Sequence, residues 1–195
     1  MDTRDALLRR VALSAPEART HGQHYEDVLL GVSELFGASV SEEVRSLVPE
    51  AVSPGSFNYP VADLLHLCDA AASTAELRTG SPYGESLEQL GTFIIRRFFN
   101  SPLGKALWMR VPREMHESLR WSVVSVRSAF MHGQRRYEKL GPLTARIFFR
   151  GELLGPSWMR GIFLGGIQMH SQQPLSASIE HMSASGMEFT LRFTW

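Results

Sequence analysis

Apolar positions recur at helical spacing through the first 130 residues and alternate after Gly133. Tyr25, Val28, Leu29, Val32, Leu35 and Phe36 share one stripe, and Gly37 follows as a stop signal, which predicts a helix over 25–36. A shorter helix is expected over 5–13. Ser39 with Glu42 has capping-box spacing ahead of Val44, Leu47 and Val48. Asn58-Tyr59-Pro60 reads as the entry to a helix reaching about Ala72, with Val61, Leu64, Leu65 and Cys68 inward. Gly80-Ser81-Pro82 breaks the chain. A helix over 84–99 follows, carrying Leu87, Leu90, Ile94 and Phe98, and Ser101-Pro102 opens a short one with Leu103, Leu107 and Trp108. Pro112 is expected at the first position of the next, whose face holds Met115, Leu119, Ser122, Val126 and Phe130.

Beyond Gly133, Ala145, Ile147 and Phe149 alternate with Thr144, Arg146 and Phe148, the period of a strand. Gln134–Lys139 is its expected partner across Leu140-Gly141-Pro142-Leu143. Pro156 starts a helix to about His170. A second hairpin follows: Leu175, Ala177 and Ile179, a turn near Ser185-Gly186, then Phe189, Leu191, Phe193 and Trp195. One face is apolar and the other polar, as in an antiparallel sheet covered on a single side. The expected fold class is α+β: N-terminal helices, then a four-stranded antiparallel sheet of two hairpins separated by a helix.

Composition narrows the class. The 195 residues are 44% apolar and 21% charged, as in a single globular domain. A lone cysteine, Cys68, excludes an internal disulfide and a Cys-clustered metal site. There is no long apolar run, and Met1-Asp2-Thr3-Arg4-Asp5 lacks a signal-peptide layout, so a soluble cytoplasmic protein without a membrane span is expected. The net charge of zero conceals a polarised chain. Residues 1–90 hold 6 basic and 14 acidic side chains, and residues 91–195 hold 14 and 6. One domain is expected, with an acidic helical part over 1–80 and a basic α/β part over 81–195.

No phosphate loop and no Gly-x-Ser-x-Gly elbow is present, so no enzyme signature survives. His21 and His24 read as part of a solvated connector, and Cys68 as a small core residue. Gly161 and Gly165 fall within a helix, where they would let it approach its own core or a second copy. Arg113, Arg120 and Arg127 recur every seven residues and are expected to line one helix face, a docking stripe for an acidic protein surface. Nucleic acid is disfavoured by the zero net charge and the lack of a reader motif. Phe98, Trp108 and Phe163 are candidates to line an apolar pocket between helices and sheet.

Tyr59-Pro60-Val61-Ala62-Asp63-Leu64-Leu65, the Leu90-Gly91 helix leading to Ser101-Pro102-Leu103-Gly104-Lys105-Ala106, Phe149-Arg150-Gly151-Glu152 and Gly161-Ile162-Phe163 resemble a paralogous family of myxobacteria without an assigned activity. Residues 84–195 also resemble, in their order of elements, the superfamily joining vinyl-four-reductase domains, transport protein particle subunits and haem-based nitric oxide/oxygen sensors. That resemblance implies an α/β fold that binds small molecules or partner proteins, commonly as a dimer. In the sensor branch a helix histidine ligates iron and a downstream Tyr-x-Ser-x-Arg holds the propionates. His116 stands where such a ligand would lie, but no Tyr-x-Ser-x-Arg occurs in the chain, so no haem or other cofactor is expected. The leading expectation is a non-catalytic regulatory or scaffolding module, a homodimer that binds a protein partner. The alternative is a small-molecule sensor, of haem held by His116 or of another apolar ligand.

Overall fold

Side-chain caps and glycines decide where the N-terminal helices begin and end. The computed structural model describes residues 2–48, 58–129, 132–169, 171 and 173–195, the side chains of 126–129 excepted. Helix α1 (Arg4–Leu13) opens on Thr3, whose hydroxyl accepts the Ala6 N–H. Strand β1 (Arg19–His21) leads directly into α2 (Gly22–Phe36) and pairs antiparallel with β2 (Asn58–Pro60). This three-residue ribbon is absent from the sequence reading because strands so short leave no periodicity. It takes His21 into a strand and His24 into the first turn of α2, correcting the connector expected there.

Gly37, at φ +96°, is both the stop of α2 and the start of α3 (Ala38–Leu47). Ser39 and Glu42 therefore lie inside α3 and form no capping box. Helix α4 (Val61–Thr79) runs past Ala72 because Ala71, Ala72 and Ala75 extend its buried face, and Gly80 ends it in the left-handed region. After α5 (Tyr83–Asn100), Ser101 caps α6 (Pro102–Trp108) by accepting the Gly104 N–H at 3.1 Å. Helix α7 (Met115–Ala129) starts three residues later than the proline rule suggests. The Glu114 carboxylate accepts the Glu117 N–H at 2.8 Å and fixes that start.

Four strands form the second layer: β3 (Gln134–Gly141), β4 (Thr144–Arg150), β5 (Ser176–Met182) and β6 (Phe189–Thr194), in the order β3-β4-β6-β5. All neighbours are antiparallel, with Ile147 opposite both Tyr137 and Leu191. The expected α+β class and sheet of two hairpins are observed. Helix α8 (Pro156–Gln168) crosses between the hairpins, and Phe163 meets Phe149 and Phe193 of the sheet at 5.8 Å between ring centroids. The other side of α8 lies against α5. A Cβ on Gly161 would overlap the Glu88 carbonyl oxygen, and one on Gly91 the Trp158 carbonyl oxygen. Bare backbone on both helices lets the axes approach closely.

Trp158, Phe163, Phe189, Phe193, Leu64 and Leu90 are among the fully buried side chains of one core that runs through both charge halves. Each such residue stabilises the fold by roughly 1.5–3 kcal/mol. The halves also meet electrostatically: Asp27 pairs with Arg97 at 2.7 Å and Glu88 with Arg160 at 3.2 Å. A further clasp joins the N-terminus to α8. Asp2 accepts the Ser157 N–H through Oδ2 at 3.1 Å and pairs through Oδ1 with Arg10 at 2.8 Å, with both charged side chains fully buried. Arg10 also donates to the Ser185 carbonyl. A carboxylate at this helix N-terminus opposes the positive end of the α8 dipole.

Candidate functional site

His116 sits in the first turn of α7, buried beside the outer strand β3. Its Nδ1 is 2.6 Å from the Tyr137 hydroxyl and its Nε2 is 2.9 Å from the Pro142 carbonyl oxygen. A carbonyl only accepts, so Nε2 carries a hydrogen. The Trp195 ring packs edge-on at 4.6 Å between centroids. Both ring nitrogens are thus engaged, and the imidazole ties α7 to β3 and to the turn before β4. An iron ligand needs one nitrogen bare and aimed into a cavity; His116 offers neither.

The arginines do not make the expected continuous stripe. Because α7 begins at Met115, Arg113 lies in the preceding loop, off the helix. Arg120 is exposed on α7, paired with Glu117 at 3.1 Å and lying over the Tyr137 ring at 5.5 Å. The Arg127 side chain lies outside the described residues. Gly161 and Gly165 face α5, where Gly165 meets Thr92 and Ile95. Phe163 fills the aromatic core. Phe98 and Trp108 flank Phe99 at the α5–α6 corner, with centroids 5.4 and 5.1 Å from it. Phe98, Trp108 and Phe163 line neither of two cavities found among the described residues.

One of those cavities is a cleft of about 480 Å³ among the N-terminal helices. Asp63, His66, Ala70 and Ser73 of α4 form its floor, with Arg4 of α1, Tyr25 of α2, and Leu47 and Val48 at the end of α3 as walls. The floor follows from helical spacing: positions 63, 66, 70 and 73 recur every three or four residues, opposite the buried Leu64, Leu65 and Cys68. At one end Arg4 clamps Asp69 with Nε at 3.1 Å and Nη2 at 3.2 Å. Asp69 also accepts from the Tyr83 hydroxyl at 3.1 Å. Burial, then the Asp69 charge, pushes the Tyr83 phenol far above its usual range, so it stays a donor. At the other end Asp63 and His66 are exposed and make no hydrogen bond or ion pair among the described residues. Burial, followed by the nearby Asp63 carboxylate, raises the Tyr25 phenol as well.

The second cavity is an open groove of about 460 Å³ between α2, α5 and α8, where Glu88 and Arg160 neutralise one another. Burial holds the Glu88 carboxyl above its ordinary value against the pull of Arg160. Cys68 is enclosed by apolar side chains, and burial drives its thiol up, which suits an inert core residue. No three metal-binding side chains converge among the described residues. No helix among them is long and apolar enough to cross a membrane.

Sequence reasoning placed His116 on a helix but missed its partners, which come from β3 and a turn. It also missed the cleft. The stripe of Asp63, His66 and Ser73, with the small Ala70 between them, was the available signal, whereas Arg4 and Tyr25 join it only through tertiary packing.

The architecture is that of H-NOX domains. The unliganded Fe(II) H-NOX protein from K. algicida superposes with a TM-score of 0.68 at 14% identity, covering 90% of this chain and 96% of that one. An oxygen-binding H-NOX domain related to soluble guanylate cyclases gives 0.61 at 11% identity, covering 90% and 94%. No curated protein matches the sequence. Haem, the group this fold family implies, does not fit at His116, whose two nitrogens are spent on Tyr137 and Pro142. Residues 19–195 match the family described as protein of unknown function (DUF2378), and the chain belongs to that family.

Proposed function

We propose that this chain is a non-catalytic small-molecule sensor module that keeps the H-NOX architecture without carrying haem on His116. The single observation behind the second half of this reading is the double engagement of the imidazole, which makes it a structural tie. Support for the first half is the sensor-type fold together with a cleft of ligand size whose polar groups are incompletely used. The reading replaces protein scaffolding by Arg113, Arg120 and Arg127, because Arg113 is off the helix and Arg120 is engaged within the chain.

Absorption spectra of the purified protein, before and after hemin is added and then reduced, test the haem half. The expected result is no Soret band that depends on His116. A stoichiometric Soret band lost in a folded His116→Ala variant overturns the reading. A saturable rise in Tm with a small metabolite supports the sensor half, since a ligand that binds only the native state stabilises it by RT ln(1 + [L]/Kd).

A further inference from the structure

From Gln89 to Arg113 the chain carries five cations and no acid. Arg97 is spent on Asp27, but Arg96, Lys105, Arg110 and Arg113 are exposed and make no ion pair among the described residues. Glu114, which closes the stretch, is committed to the start of α7. Helix α6 lies in the middle and packs chiefly on the end of α5. There the Gly104 backbone abuts the Phe98 carbonyl, and Trp108 meets Phe99 at 5.1 Å between centroids. Gly104, Leu107 and Trp108 form that inner face by helical spacing, and Met109 continues the helical conformation. The opposite face presents Ala106 and Met109 as a crest, with Lys105 on one flank and Leu103 and Arg110 on the other. Met109 is 82% exposed and Leu103 64%, and neither belongs to the core. The end of α8 that approaches Phe99 through Gly166 adds no acid, since none occurs between Glu152 and Glu180.

We propose that this corner docks on the surface of an anionic phospholipid bilayer. Leu103 and Met109 enter the headgroup layer, and Arg96, Lys105, Arg110 and Arg113 lie at the phosphates. Unpaired cations are drawn to an anionic leaflet, and apolar side chains standing among them bury their surface on arrival. The core of a protein interface excludes charge, whereas Lys105 and Arg110 border Met109 on both sides. A headgroup layer accommodates both kinds of side chain at one depth. No described helix is long and apolar enough to cross a membrane, so the attachment is peripheral and reversible. The proposal is independent of the sensor reading and uses no residue of the α4 cleft or the His116 corner.

Co-sedimentation of the full chain with vesicles tests this, using pure phosphatidylcholine and its equimolar mixture with phosphatidylglycerol. Binding to the mixed vesicles alone is expected, and it should weaken as salt is raised. Lys105→Gln with Arg110→Gln should weaken it roughly thirtyfold. Leu103→Ser with Met109→Ser should weaken it about tenfold or more. Both double variants should keep the wild-type Tm, because all four side chains are exposed. Leu77→Ser, an equally exposed leucine on α4, should bind as wild type does. Failure to sediment with the mixed vesicles, equal sedimentation with both kinds, or binding indifferent to either double substitution overturns the proposal. Polyglutamate that binds as tightly as the mixed vesicles, and through Met109, assigns the corner to an acidic protein and overturns the lipid assignment.

Discussion

Two polar sites in this chain, the His116 corner and the α4 cleft, use similar side chains in opposite ways. At the corner every polar atom of the imidazole has a partner, and an aromatic ring closes the remaining side. In the cleft Asp69 is saturated, yet Asp63 and His66, on the same helix face, point to open space. A buried polar group that is fully paired holds elements together and has nothing left to offer a ligand. An unspent group on the floor of a cavity contributes little to the fold and remains available. The fully paired histidine, His116, is therefore a tie between elements, and His66 is the one left available.

Substitutions that remove closed polar contacts should cost the most. Arg10→Met leaves Asp2 buried without its cation, with an expected loss of about 3–5 kcal/mol in denaturant unfolding. His116→Ala opens a hole beside Trp195 and orphans the Pro142 carbonyl, at about 2–4 kcal/mol. His66→Ala, the matching change in the cleft, should fall within about 0.5 kcal/mol. Equal losses for the two histidines would erase the contrast.

The smallest effect belongs to Glu114, whose carboxyl is held below its ordinary range first by the Glu117 backbone N–H. A lowered acid in the folded state adds stability above the unfolded carboxylate pKa and loses it as pH falls through the folded value. Glu114→Gln should cost only a few tenths of a kcal/mol at pH 7, because the group is exposed and screened. Wild type and variant should converge on acidification below the carboxylate range, measured by Tm against pH.

Periodicity makes much of this fold legible in the sequence. The stripes of α2 and α5 and the alternation of β4 and β6 are long enough for their period to stand out. The β1–β2 ribbon was invisible because three residues carry no period. Pro112 suggested a helix start that the Glu114 side chain overrode. His116 was visible as a helix residue, but its role depended on Tyr137 and Pro142, brought near by a hairpin. The cleft was half visible: helical spacing aligns Asp63 with His66, while the Arg4 clamp on Asp69 spans 65 residues of sequence.

The clasp between Asp2 and Ser157 gives the molecule a timetable. Its partners are 155 residues apart, and at about 5–20 residues per second a ribosome needs roughly 8–30 s to make the intervening chain. Through that interval Arg10 and Asp2 stay hydrated, because the helix end that encloses them has not been synthesised. The Arg10 end of α1 is thus enclosed only once the chain has been made at least as far as α8, whereas its Arg4 end can meet Asp69 of α4 earlier.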